Sequence, residues 1–353
     1  MSLFYGRACI TAVTKGHLMI FHRTIIAAIA ALASTPIIAE TNMPFALDWK
    51  FEGPAAPYFH ALDEGYFSDA DLAVTISEGA GSLDAIPKVA TGAFPVGFAD
   101  INSLMRFLDQ NPGAPVKAVM MVYDKPPFAV VGRSSLGVTE PSDLEGKVLG
   151  APPPDGAWAQ FPIFATETGI DTDKITVEPV GFPTREPMLA EGNVAAITGF
   201  SFSSTLNLKR LGVPADDISV LLMADYGVDL YGNAIIVNTD FAEANPEAVT
   251  DFLSAVALGW KDAISAPEVA INALIKRNPA ADAALEVERL QMAIDANVLT
   301  DYVIENGMGG IDESRMENAI EQTKSVYTFQ NVPSPALYFD ASYLPNDGSL
   351  ALR

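Results

Sequence analysis

Cysteine is all but missing from this chain: 353 residues contain one, Cys9. A single cysteine excludes an internal disulfide framework and a thiolate metal centre. Histidine is nearly as scarce, and of three only His60 lies beyond residue 22. Multi-histidine zinc sites and histidine-based catalytic triads are set aside with it. Basic residues are few, 21 Lys and Arg against 44 Asp and Glu, for a formal charge of −23. That imbalance repels nucleic acid and anionic membranes, so neither is expected as a partner. Repeats and low-complexity tracts are lacking too, and the main apolar run is shorter than the roughly 20 residues of a membrane span.

That run, Thr24 to Ser34, follows His22 and Arg23 and ends in Pro36-Ile37-Ile38-Ala39. Charged, then apolar, then small is the order of a secretory signal. Residues 1–39 are therefore expected to be cleaved and the body exported, soluble, to the periplasm. No cysteine follows the run, which disfavours lipid anchoring. The signal is complete from Met19 onward, and Lys15-Gly16 can be read as a purine-rich ribosome-binding tract, so Met19 is a candidate true start; a long n-region is the alternative. Cleavage removes Arg7, Lys15, Arg23 and Cys9, leaving 18 basic residues (21 less 3) against 44 acidic ones, a formal charge of −26.

Beyond the signal, short apolar runs alternate with helical patterns, which argues for an α/β architecture. Strands are expected at 45–49, 72–77, 96–99, 116–123, 128–131, 148–151, 175–180, 195–198, 220–223 and 234–237. Helices are expected at 58–64, 83–90 and 101–109. From Asn245-Pro246-Glu247 onward the pattern turns helical, with Val249, Phe252, Leu253, Val256, Trp260 and Ile264 on one face. About 314 residues usually divide into two lobes. Tyr123–Phe128 and Asp225–Asn233 read as crossings between lobes, the second with glycines able to absorb hinge rotation. The expected division is lobe I at 40–125 and 232–340, lobe II at 126–231, and a tail at 341–353.

Leu47-Asp48-Trp49 followed by Gly65-Tyr66-Phe67 resembles the opening of bacterial solute-binding proteins of the nitrate/sulfonate/taurine and thiamine-pyrimidine-precursor group. The resemblance continues through Asp143–Gly150, Leu189–Ala196, Asp225-Tyr226-Gly227-Val228 and the Asn-Pro-Glu helix at 245, in the family's order over about residues 45–275. It implies a two-lobed type II periplasmic binding fold with a ligand cleft between the lobes. It also implies delivery of a small solute to the permease and ATPase of an ABC importer, by a monomer without cofactor or metal. In the pyrimidine-precursor branch a Pro-Asn segment and a histidine follow; ungapped, Phe51, Glu52 and Ala55 stand there, so that histidine is missing.

Candidate ligand residues cluster at strand ends, where such clefts bind. Trp49 could stack on a planar solute or plug the core. Asp48 and Glu52 could accept hydrogen bonds from ligand amines, although at least one of them reads as a solvated strand-end charge. Gly79-Ala80-Gly81-Ser82 precedes a helix, where free N–H groups favour anions and Ser82 can cap; a plain turn is the alternative. Asp100 and Asn102 occupy the matching place after the next strand, Asp100 first as a cap. In the second lobe Asp155 and Trp158 follow a proline-rich loop. Arg185 is a possible counter-ion, or a surface partner of Glu186 or Glu178. Thr198 ends another strand, and Tyr226 and Tyr231 flank the return crossing.

The reading is capture and not catalysis, of a planar N-heteroaromatic solute resembling a thiamine-pyrimidine precursor. A sulfonate, nitrate or aromatic carboxylate is the alternative, resting on Arg185 and the 79–82 turn. Eukaryotic relatives implied by the resemblance synthesise that pyrimidine with a cysteine-rich motif, which the exported body lacks. A sensory ligand-binding domain is the remaining class. Export predicts a mature protein beginning at Glu40, checked by N-terminal sequencing of the secreted form; an unprocessed precursor beginning before Met19 would exclude the later start.

Overall fold

The computed structural model describes residues 40–352; the segment read as a signal, with Met19 and Cys9, lies outside them. Four strands, β1 (Thr41–Ala46), β2 (Leu72–Ser77), β3 (Val96–Asp100) and β4 (Val116–Met121), alternate with α1 (Ala56–Asp63), α2 (Ser82–Ala90) and α3 (Ile101–Gln110). The chain then crosses into β5 (Phe128–Arg133), β6 (Val148–Ala151), β7 (Thr176–Pro179), β8 (Ala196–Phe200) and β9 (Ile218–Leu222), with α4 (Gly156–Thr168), α5 (Phe182–Ala190) and α6 (Ser201–Arg210). It returns as β10 (Asn233–Asn238). The helices α7 (Thr239–Ala244), α8 (Pro246–Ser265), α9 (Pro267–Arg277), α10 (Ala283–Ala293), α11 (Asp301–Asn306), α12 (Glu313–Val326) and the short α13 (Pro335–Tyr338) follow.

The ten strands form two five-stranded sheets, ordered β2-β1-β3-β10-β4 and β7-β6-β8-β5-β9. In each sheet one strand runs against its neighbours, β10 in the first and β5 in the second. Each of these is the first strand laid down after a crossing. Helices cover the sheets, so central strands are buried along their length; β10, Asn-Ala-Ile-Ile-Val-Asn, is buried at every residue.

All ten expected strands are present, 72–77 and 148–151 with the expected bounds and the others with shifted ends. The one shift with consequences is at the start: β1 is Thr41–Ala46 and not 45–49, so Asp48 and Trp49 stand in the loop beyond it. That loop is held by Gly79 and Gly81, whose N–H groups donate to the carbonyls of Trp49 (3.1 Å) and Asp48 (2.6 Å).

The two crossings touch. Gly232 N–H donates to the Tyr123 carbonyl at 2.9 Å, and a Cβ on Gly232 would stand 2.8 Å from Tyr123 Cβ and 3.0 Å from Pro126 Cα. Arg315 on α12 ties both together. Its guanidinium donates to the Asp124 carboxylate (3.0 Å), the Asp124 carbonyl (2.8 Å), the Leu230 carbonyl (2.9 Å) and the Asp229 carboxylate (2.8 Å). It also lies 4.1 Å from the centre of the Tyr231 ring.

Helix α8 packs closely on α1 because Gly259 has no side chain: a Cβ there would lie 2.4 Å from the Pro57 carbonyl oxygen. Since α1 carries one wall of the cavity described below, this contact positions the site. Gly259→Ala is expected to force the helices apart at a cost of about 1–3 kcal/mol, measured as a lower midpoint in denaturant unfolding.

Candidate functional site

Between the sheets lies a cavity of about 830 Å³, solvent at its mouth included. Strand ends of both halves open into it. Seven aromatic rings wall it: Trp49, Tyr58, Phe98 and Tyr123 from the first half, Phe182, Phe200 and Phe202 from the second. Trp49 meets Phe182 edge to face at 5.1 Å, closing the cleft from opposite sides. Such contacts are favourable beyond the area they bury.

Four carboxylates face the same space, those of Asp48, Glu52, Asp100 and Asp155. Asp48 accepts from Asn233 Nδ2 at 2.6 Å and Ser82 Oγ at 3.2 Å, both on Oδ2. Burial pushes its carboxyl up to about 7; the two donors pull it down and the Asp100 charge adds to the rise. Asp100 caps α3, accepting from the N–H groups of Asn102 (3.1 Å) and Ser103 (2.8 Å) and from their side chains. Burial raises it despite those bonds. Asp155 caps α4 through Ala157 N–H and accepts from Thr198 Oγ1 at 2.8 Å. Burial raises it while the Arg185 charge opposes.

Glu52 is the fourth. Burial raises it, and the Arg289 guanidinium at 3.6 Å opposes. Ser203 Oγ, from the other half, donates to it at 3.2 Å. Behind it Arg289, buried on α10, donates to Glu286 (2.9 Å) and to the Phe202 and Ser203 carbonyls (3.4 and 3.3 Å) on α6. The halves also meet where Arg106 donates to the Ala159 carbonyl at 2.9 Å.

Of the residues singled out from sequence, Asp48, Trp49, Glu52, Gly81, Ser82, Asp100, Asp155 and Arg185 line the cavity. Asn102 and Thr198 stand one bond behind it, on Asp100 and Asp155. Gly79 supports the Leu47–Lys50 loop instead; a Cβ there would lie 2.1 Å from the Leu47 carbonyl oxygen. Trp158, Tyr226 and Tyr231 do not line it. Helix α4 begins at Gly156, so Trp158 is turned about 200° from it around the helix, and it stacks on Phe161 at 5.5 Å. Tyr226 packs edge-on against Phe164 at 5.6 Å, and Tyr231 donates no bond toward the cleft, its hydroxyl accepting from Asp312 N–H at 2.8 Å.

Two further expectations are corrected. Ser82 does not cap α2; its hydroxyl donates to Asp48 and accepts from Asp100 N–H at 2.9 Å. Arg185 does pair with Glu186, yet the pair is buried and not on the surface. Sequence reasoning missed Tyr58, Phe98, Tyr123, Phe182, Phe200, Phe202 and Ser203. Phe182 and Phe200 adjoin residues that were singled out, but a lone aromatic in an apolar run carries no mark of facing a cavity.

Two α/β halves facing each other across such a cavity define the type II periplasmic-binding-protein fold. The structure matches the periplasmic aliphatic sulphonate binding protein SsuA of Escherichia coli with a TM-score of 0.63 and 13% identity, over 81% of this chain and 91% of that one. The chain belongs to the NMT1/THI5-like family, which it matches over residues 54–270. It is 28% identical over 244 residues to the riboflavin-binding protein RibY of Chloroflexus aurantiacus, 68% of each chain. It is 27% identical over 282 residues to the formylaminopyrimidine-binding protein of Halalkalibacterium halodurans, 78% of this chain and 82% of that one. A 4-amino-5-hydroxymethyl-2-methylpyrimidine phosphate synthase of Saccharomyces cerevisiae, THI13, is 26% identical over 225 residues, 61% of this chain and 65% of that one. The relatives thus include binding proteins and synthases.

Asp48 sets a pH dependence of stability. Its folded pKa of about 7 exceeds the ordinary 3.8, so between those values the folded chain holds a proton that the unfolded chain releases. Stability on its account is greatest at low pH and falls as pH rises toward about 7. Thermal unfolding of the ligand-free protein should show a lower midpoint at pH 8 than at pH 5, and Asp48→Asn should shrink that fall. A fall of equal size in the variant would assign it to other groups.

Proposed function

We propose that this chain is the extracytoplasmic solute-binding component of an ABC importer, taking a flat N-heteroaromatic solute of the thiamine-pyrimidine-precursor kind. The observation that carries the reading is one cavity combining seven aromatic walls with carboxylates at its edges. A planar ring is satisfied by stacking on its faces and by N–H donation from its rim. Pyrimidine- and flavin-type solutes, the ligands in the names of two relatives, have that shape and those donors. The pyrimidine-branch histidine remains absent, so the rim contacts fall to Asp48 and Glu52.

The mechanism is capture by closure. Trp49 on one half and Phe182 on the other meet edge to face and would close over the solute, and Ser203 to Glu52 bridges the halves beside it. A solute shifts the open–closed balance only by its differential affinity for the closed form. The closed monomer then docks on the permease, whose ATPase drives uptake from the periplasm. Capture is favoured over synthesis by the residues available. Residues 40–352 contain no cysteine, and their one histidine, His60, lies 3.2 Å from Asp262 and away from the cavity.

Calorimetry and thermal shift with aminopyrimidines and flavins test this. A true ligand at 100 times its Kd stabilises by about 2.7 kcal/mol. Trp49→Ala and Phe182→Ala should each weaken binding by roughly 1–3 kcal/mol, the range for a stacked base. Binding of a non-planar solute with no response to any N-heteroaromatic would overturn the ligand class and leave the importer role standing.

A further inference from the structure

The cavity is lopsided in charge, and the two features that would welcome an anion are partly occupied. Arg185 donates from Nε and Nη2 to one Glu186 oxygen, at 3.0 and 2.6 Å, and lies 4.0 Å from Asp155. At the start of α2, Gly79 and Gly81 N–H groups are bound to carbonyls, and Ala80 N–H donates to the Asp84 carboxylate at 3.2 Å. An incoming phosphate or sulfonate would find Arg185 Nε and Nη2 and the N–H groups of residues 79–81 engaged, with Asp155 4.0 Å from the remaining Arg185 Nη1. Lys50, the other lining cation, is exposed beside the Trp49 ring at 5.7 Å.

What remains unsatisfied points the other way. Both side-chain donors to Asp48 fall on Oδ2, and no side chain among the described residues donates to Oδ1. The Tyr58 hydroxyl is buried beside the cavity without a close hydrogen bond, the Trp260 indole N–H being near enough to favour its charged form, and a phenol can give or accept one. Burial raises all four lining carboxyls, which marks an acidic enclosure that a positive charge would relieve. The surrounding ring faces attract cations as well.

We infer that this cavity admits the neutral or cationic form of its solute and refuses the anionic form, with Asp48 and Glu52 as the specificity-determining residues. A base is taken as its free alcohol or amine and rejected as its phosphate, sulfate or sulfonate. This rests on the reading of the cavity as a solute site and adds the sign of charge that it selects.

The test compares matched pairs on the full-length protein: an aminopyrimidine alcohol against its phosphate, riboflavin against its 5′-phosphate, and benzylamine against benzenesulfonate. At pH 8, above the Asp48 value of about 7, the free or cationic member should bind at least about 100-fold more tightly, as expected of a like charge pressed against desolvated carboxylates. Asp48→Asn and Glu52→Gln should each narrow that ratio, chiefly by weakening the favoured member. Equal or tighter binding of the phosphate or sulfonate member overturns the inference. If no pyrimidine or flavin binds, the proposed solute class fails and the benzyl pair decides the charge question alone. Stabilisation by benzylamine only supports the inference; stabilisation by benzenesulfonate, or by neither at millimolar concentration, overturns it.

Discussion

The fold depends on a place where two backbones meet without a side chain between them, Gly232 against Tyr123 and Pro126. The chain leaves the first sheet, builds the second and must re-enter the first between β3 and β4. That topology brings the outgoing and returning segments side by side, and only glycine allows the contact. Arg315 then gathers the carbonyls of Asp124 and Leu230, one from each segment. Two short segments, coupled through Arg315, are thus the links between the sheets.

The cavity follows from the same geometry. Both sheets direct strand ends toward the crossings, and helices starting there bring Asp100 and Asp155 as caps. A capping carboxylate usually faces water; here the two halves enclose it, and burial raises both groups. Removing a charge from solvent without a full partner is costly. An acidic, aromatic enclosure is therefore unlike a well-satisfied core, where such groups would be fully bonded. Glu52 shows the balance: Arg289 and Ser203 partly compensate it across the interface between the halves.

Much of the architecture was legible beforehand because it rests on local signals. Alternating apolar runs marked every strand, and Asn245-Pro246-Glu247 marked the turn to helices. Site residues with a distinctive chemical type at a strand end were legible as well: Asp48, Trp49, Glu52, Asp155 and Arg185 do line one cavity. Trp158, Tyr226 and Tyr231 show the limit. Each has the right composition and neighbourhood, but helix phase turned Trp158 aside, and packing on Phe164 and the backbone of Asp312 engaged the two tyrosines. Tyr58, Phe98 and Phe202 show the converse, since core and cavity aromatics have the same local signature.

Sequence by itself determined the α/β class, the acidic and cysteine-free body, the strand positions and the family, because propensity, hydrophobic period and motif order are written along the chain. Tertiary structure alone decided which face of each element meets the cleft. It also decided that Arg185 is buried against Glu186, and that the carboxylates share one buried space. Those properties depend on distances between residues far apart in sequence, such as Asp48 and Asn233 or Glu52 and Ser203. No local pattern encodes such distances.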